Sequence, residues 1–127
     1  MVRLATRAAA RLGFEDRLFF GQGPRWREIM AESWFSMCPR GYGRTSYHMA
    51  EAWQMGLVPL HIFGDVPWVP YAGIFPMIGL AGNLSAVPLL LARVRRLGAQ
   101  GAARMEARVR EVRESHFTQQ GVMDQIA

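Results

Sequence analysis

One stretch constrains this chain more than any other. In residues 36–71, a glycine-rich turn and a helix lie between apolar runs, and a proline-aromatic loop follows. Trp34 to Cys38 reads as a short buried strand, since it is apolar, brief and followed by a turn signal. Pro39 to Arg44 is a tight turn built around Gly41 and Gly43. Thr45 or Ser46 can cap a helix that runs to Met55, and Gly56 ends it. Val58 to Phe63 is the next strand, with Val58, Leu60 and Ile62 on one face and Pro59, His61 and Phe63 on the other. Gly64 to Tyr71 is a loop held by Pro67 and Pro70. Such a strand–turn–helix–strand unit sets backbone N–H groups and an arginine at a helix start, where an anion can sit.

The flanking segments extend the same pattern. Residues 3–12, rich in alanine and arginine, predict a helix, and Gly21 to Pro24 is a break. Pro24 suits the first turn of a short helix over Arg25 to Glu32. Ile74 to Leu80 reads as a third strand. Asn83 or Ser85 starts a helix to about Leu97, with Pro88 tolerated in its first turn. After a break at Gly98 to Gly101, residues 102–116 form an amphipathic helix. The order β, α, β, β, α, α predicts an α/β, Rossmann-like layered domain with a small, mainly parallel sheet. Three strands make a thin sheet, so part of a larger protein is expected to be missing.

Bulk properties narrow the function classes. At 127 residues the chain fits one domain, and 50% hydrophobic residues can build its core. Net charge is +5, carried by fifteen arginines and no lysine. The arginines are scattered, and acids interrupt the densest group, so a nucleic-acid interface is not expected. Cys38 is the one cysteine, which excludes an internal disulfide, and its place in an apolar run suggests a buried thiol. No apolar stretch reaches the roughly 18–20 residues of a membrane span. The acid-poor start is read as a surface helix, or the start of a truncated chain, rather than a transit peptide.

The turn carries the candidate chemistry. Gly41 and Gly43 let the backbone approach a ligand, Arg40 and Arg44 flank them, and Thr45 and Ser46 add hydroxyls. This is either a diphosphate cradle or a tight turn with two solvated arginines. Glu51 favours the cradle. Three residues before it stands His48, which excludes a capping box. Glu51 shares a helical face with Tyr47 and His48, where its carboxylate could accept two ribose hydroxyls or simply pair with His48 or an arginine. Cys38, His48, His61 and Asp65 lack metal-ligand spacing. His61 is expected in the core or at its rim, and His116 in solvent. No Ser/His/Asp nucleophile arrangement is legible, and Ser46 lacks a glycine elbow. Gly41 to Ser46 also nearly matches G-x-G-x-x-G, with Asp65 following at about the distance of a ribose contact, but Ser46 replaces the third glycine.

The run Cys38 to Leu60, with Pro39, Gly41, Ser46, Glu51, Ala52, Gly56 and Pro59 at their relative spacings, resembles the exostosin-like glycosyltransferases. The segment from Asp65 to Tyr71 fits the same family. The resemblance implies that residues 25–127 are the C-terminal, donor-binding lobe of a GT-B fold, with residues 1–24 an N-terminal extension. It implies a UDP-sugar as donor substrate and a glycan or glycoprotein hydroxyl as acceptor. Glu51 would bind the ribose, and Arg40, Gly41, Gly43, Arg44, Ser46, His48 and Asp65 would surround the nucleotide sugar. His48 stands where many members carry arginine, so Arg44 or a protonated His48 would neutralise the diphosphate. The catalytic base would come from an acceptor lobe outside this chain. A Golgi or secretory-pathway membrane location follows from the same resemblance. Two other readings remain at this point: a dinucleotide-binding module and an interaction fragment without nucleotide.

Overall fold

The computed structural model describes residues 1–13, 17–19, 23–39, 47–64 and 67–117. Helix α1 spans Val2–Leu12, α2 Trp26–Ala31, α3 Tyr47–Gln54, α4 Phe75–Ile78 and α5 Val87–His116. The strands are β1 (Phe35–Pro39), β2 (Val58–Ile62) and β3 (Leu80–Gly82). They form one open, all-parallel sheet in the order β1-β2-β3, with β2 in the centre. The chain is thus mixed α/β, consistent with a Rossmann-like layered arrangement.

All five residues of β2 are buried, as expected for a parallel strand covered on both faces. The position of Pro59 in this central strand has a simple cause. Val58 N donates to Trp34 O, towards β1, whereas Phe63 N donates to Gly82 O, towards β3. Odd-numbered residues of β2 therefore address β3. Pro59 has that parity and stands one residue before the β3 pairing begins at Leu60↔Leu80. Its missing N–H costs the ladder no bond.

Two apolar clusters hold the domain. One joins Cys38 to Met49, Ala52 and Trp53 of α3, Phe75 and Ile78 of α4, and Val109 and Phe117. The inward spacing of Met49, Ala52 and Trp53 is i, i+3, i+4, which makes α3 a one-sided helix. The other joins Ala5 and Ala8 of α1 to Leu60, Ile62, Leu80 and Val87, Leu90 and Leu91 of α5. Alanines on that face let α1 lie close against α5, and Gly13, at φ 77°, closes α1 in the left-handed conformation.

Two sequence expectations need correction. Ile74 to Leu80 is not a strand. Phe75–Ile78 is a helical turn with Pro76 in its first positions, and β3 is the shorter Leu80–Gly82. Proline has no N–H for a sheet ladder, but its fixed φ fits a helix start. The break expected over residues 98–101 is present but shorter: the helical run is interrupted at Gly98 alone, at φ 61°, ψ −167°, and resumes at the next residue. That kink lets α5 serve both clusters, with Leu90 and Leu91 before it and Val109 after it. The conformation is open essentially to glycine alone. Gly98→Ala should cost about 1–3 kcal/mol, read as a lower urea midpoint with an unchanged m-value. An unchanged midpoint would show that the kink carries no such strain.

Candidate functional site

The sheet's carboxyl edge opens into a crevice of about 600 Å³. It is lined by Pro39 at the end of β1, Ile62, Phe63 and Gly64 at the end of β2, and Asn83, Leu84 and Ser85 after β3. Open parallel α/β sheets bind ligands outside the carboxyl ends of their strands, where strand order reverses. Among the described strands the order is sequential, so the crevice shares that edge but shows no reversal. Asn83 shapes the β3 side. Its Oδ1 accepts from Ala86 N at 3.0 Å and from Ser85 Oγ at 2.8 Å, which caps the 3₁₀ turn Leu84–Ala86 that leads into α5. Pro39 and Gly64 are the residues that lead into segments 40–46 and 65–66.

The sequence-derived site divides across these boundaries. Arg40, Gly41, Gly43, Arg44, Ser46 and Asp65 lie outside the described residues. His48 and Glu51 lie within them, on the flank of α3 left outside by Met49, Ala52 and Trp53. They meet: His48 Nδ1 is 3.5 Å from Glu51 Oε2. Glu51 and His48 are thus neighbours, as one of the two roles open to Glu51 requires, at a distance longer than a formed hydrogen bond. The Glu51 side chain is 48% exposed, so its carboxylate remains within a ligand's reach.

The opposite ring nitrogen of His48 has a partner that sequence reasoning missed. His48 Nε2 lies 2.8 Å from Ser36 Oγ on β1. Ser36 and Cys38 share the strand face turned towards α3, and the first turn of α3 brings His48 back over that face. Both Ser36 and His48 line a second, larger groove of about 720 Å³. It follows the free edge of β1, since consecutive residues Ser33 to Met37, of both parities, line it. Trp26, Ile29 and Met30 of α2 and Leu91 and Val94 of α5 supply apolar walls, and Arg17, Arg95 and Glu32 supply charge.

Two buried groups beside the sheet line neither groove. Cys38 is fully buried, and burial pushes its thiol up to about 12, with the Glu51 carboxylate acting in the same direction. It stays a protonated thiol at neutral pH and is no nucleophile. His61 is fully buried at the register position opposite Cys38. Its Nε2 bonds Trp68 O at 3.0 Å, and Nδ1 has no partner among the described residues. His116 departs from its expected place in solvent. It is half-buried, edge-on to Tyr71 at 5.7 Å, with Nδ1 2.7 Å from Ser115 Oγ.

Among the described residues, no three His, Cys, Asp or Glu side chains converge on a metal position. Nor is any helix among them long and apolar enough to cross a membrane. No protein-family model matches the chain, and no curated protein matches it.

Proposed function

We propose that this chain is a donor-binding lobe that holds a nucleotide sugar, a UDP-sugar, for a glycosyltransferase of GT-B type. The observation that carries this reading is the crevice across the carboxyl ends of all three parallel strands. Pro39 and Gly64, which line it, introduce segments 40–46 and 65–66, where Arg40, Gly41, Gly43, Arg44, Ser46 and Asp65 stand. Segment 40–46 joins the end of β1 to the start of α3, and its glycines, arginines and hydroxyls suit a diphosphate. Exposed Glu51, on the same helix, is the acceptor for ribose hydroxyls.

In the transfer itself, an acceptor hydroxyl attacks the anomeric carbon and UDP departs. Arg44 and the amides of the turn stabilise the leaving diphosphate. A second lobe supplies the acceptor glycan and the base. The whole enzyme then belongs to the secretory pathway, at Golgi membranes.

Calorimetric titration of the purified chain with UDP, with NAD in parallel, tests the reading. UDP should bind, and Glu51→Ala should weaken it about ten- to hundredfold, the worth of a hydrogen bond to a charged group. Ser85→Trp, which fills the crevice, should abolish binding. A preference for NAD would replace the reading with a dinucleotide module. Binding of neither ligand by a folded chain would overturn it.

A further inference from the structure

We propose that Ser36, His48 and Glu51 form a nucleophile–base–orienter relay that cleaves carboxylic esters of apolar acids in the groove along β1. This second activity shares Glu51 with the proposed ribose contact but uses the other groove, and Ser36, which has no part in nucleotide binding, separates the two. Three observations meet in it. Ser36 Oγ is 2.8 Å from His48 Nε2, the distance of a formed O–H···N bond. Glu51 Oε2 stands 3.5 Å from the other ring nitrogen. That is longer than a formed hydrogen bond, as catalytic contacts often are before substrate arrives. Finally, Ser36 and His48 open onto a groove walled by Trp26, Ile29, Leu91 and Val94.

The two partners favour one histidine tautomer. The Glu51 carboxylate can only accept, so Nδ1 carries the proton and Nε2 presents its lone pair to the Ser36 hydroxyl. That is the arrangement a general base requires, and the order of roles is that of the serine hydrolases, reached here on an unrelated chain order. A role limited to tying α3 to β1 would need the Ser36–His48 bond alone. It would require neither a carboxylate on the far nitrogen nor an open groove beside the hydroxyl.

The chemistry balances without a cofactor. Ser36 Oγ attacks the ester carbonyl carbon while His48 Nε2 takes the hydroxyl proton. The C–O bond to the alcohol breaks, and His48 returns the proton to the departing alkoxide. Water then attacks the acyl-serine with His48 again as base, which releases the carboxylic acid and restores Ser36. Arg17 and Arg95, lining the same groove, are the cations available to the developing oxyanion. The acyl chain lies against the apolar walls, so a butyrate ester should turn over faster than an acetate.

The test uses the full chain, a fluorophosphonate probe and p-nitrophenyl butyrate. Mass spectrometry should find a single phosphonylated residue, Ser36. His48→Gln should slow labelling and kcat/KM at least about 100-fold, as loss of a general base does. Glu51→Gln should slow both by less, because its carboxylate is partly solvated. Ser36→Ala should lose the adduct and the esterase activity and retain UDP binding, so failure here and failure of the nucleotide reading are separate results. Ser36→Cys, which keeps a nucleophile beside His48, should be alkylated by iodoacetamide faster than Cys38. An unlabelled wild-type chain, or labelling of Ser36 that is indifferent to His48→Gln in a folded variant, would overturn the proposal.

Discussion

Trp53→Ala should lower the stability of the chain by about 3–5 kcal/mol, the usual cost of emptying a buried tryptophan site. Trp53 sits on the inner face of α3 at 2% exposure and joins it to α4, the turn at Tyr71 and the end of α5. Its indole stacks on Phe117 at 4.6 Å with an interplanar angle of 7°. Tyr71 and Phe75 meet it edge-on, each at 6.1 Å. Its Nε1 donates to Ile78 O at 3.0 Å, which ties α3 to the end of α4. Alanine removes the ring and leaves that carbonyl without this donor, so the transfer loss, the cavity and the broken bond act together. The cluster also supports an unfavourable backbone. Tyr71 holds φ at 52°, a conformation that L-residues other than glycine rarely adopt, and its ring packs against Trp53 and Phe117.

For a domain of this size the expected fall in melting temperature is roughly 10–20 °C. Since small domains have only about 5–15 kcal/mol in total, the alanine variant should approach the folding threshold. Trp53→Phe separates the contributions. It keeps an aromatic face for Phe117 and loses the N–H, so it should recover more than half of the loss. A fall of less than about 5 °C for Trp53→Ala would mean that the cluster does not hold α3, α4 and the end of α5 together.

The crossover from β1 through α3 to β2 was legible because its signals are local. Gly56 ends α3, Met49, Ala52 and Trp53 recur at helical spacing, and Val58, Leu60 and Ile62 give the next strand one apolar face. Ile74 to Leu80 was misread for a reason of length. Seven apolar residues serve equally as a strand or as a helical turn, and Pro76 was the one local cue that favoured the turn. Gly98 was recognised as a break. Nothing local said that α5 would resume at the next residue, because that depends on Val109 finding the cluster beneath α3.

The site divides along the same line. His48 and Glu51 were visible as a pair because i, i+3 spacing on one helix decides their contact. Ser36 was not, because its distance from His48 depends on how α3 crosses β1. Twelve residues of sequence separation carry no motif for that. The burial of His61 was half legible. Strand alternation assigned it a face, and only the packing of Phe75 and the loop at Trp68 made that face interior.

His61 should make the fold acid-sensitive. The ring is fully buried and neutral, with Nε2–H donated to Trp68 O. Protonation would bury a charge on a ring with no exposed surface, which is costly. Burial accordingly lowers the His61 pKa below its ordinary 6.5, against the weaker opposing effect of its backbone hydrogen bonds. The sign follows from linkage. The unfolded chain binds this proton at a higher pH than the folded chain, so stability is full above pH 6.5. It falls as the pH drops below that value and levels off only once the folded ring titrates as well. Urea midpoints measured between pH 7.5 and 5 should therefore decline in the wild-type chain. His61→Leu, close in volume and unable to ionise, should remove the part of the decline that begins near 6.5 while leaving any carboxylate-linked loss at lower pH. If the wild-type and His61→Leu curves run parallel across this window, His61 is not the group that links acid to unfolding.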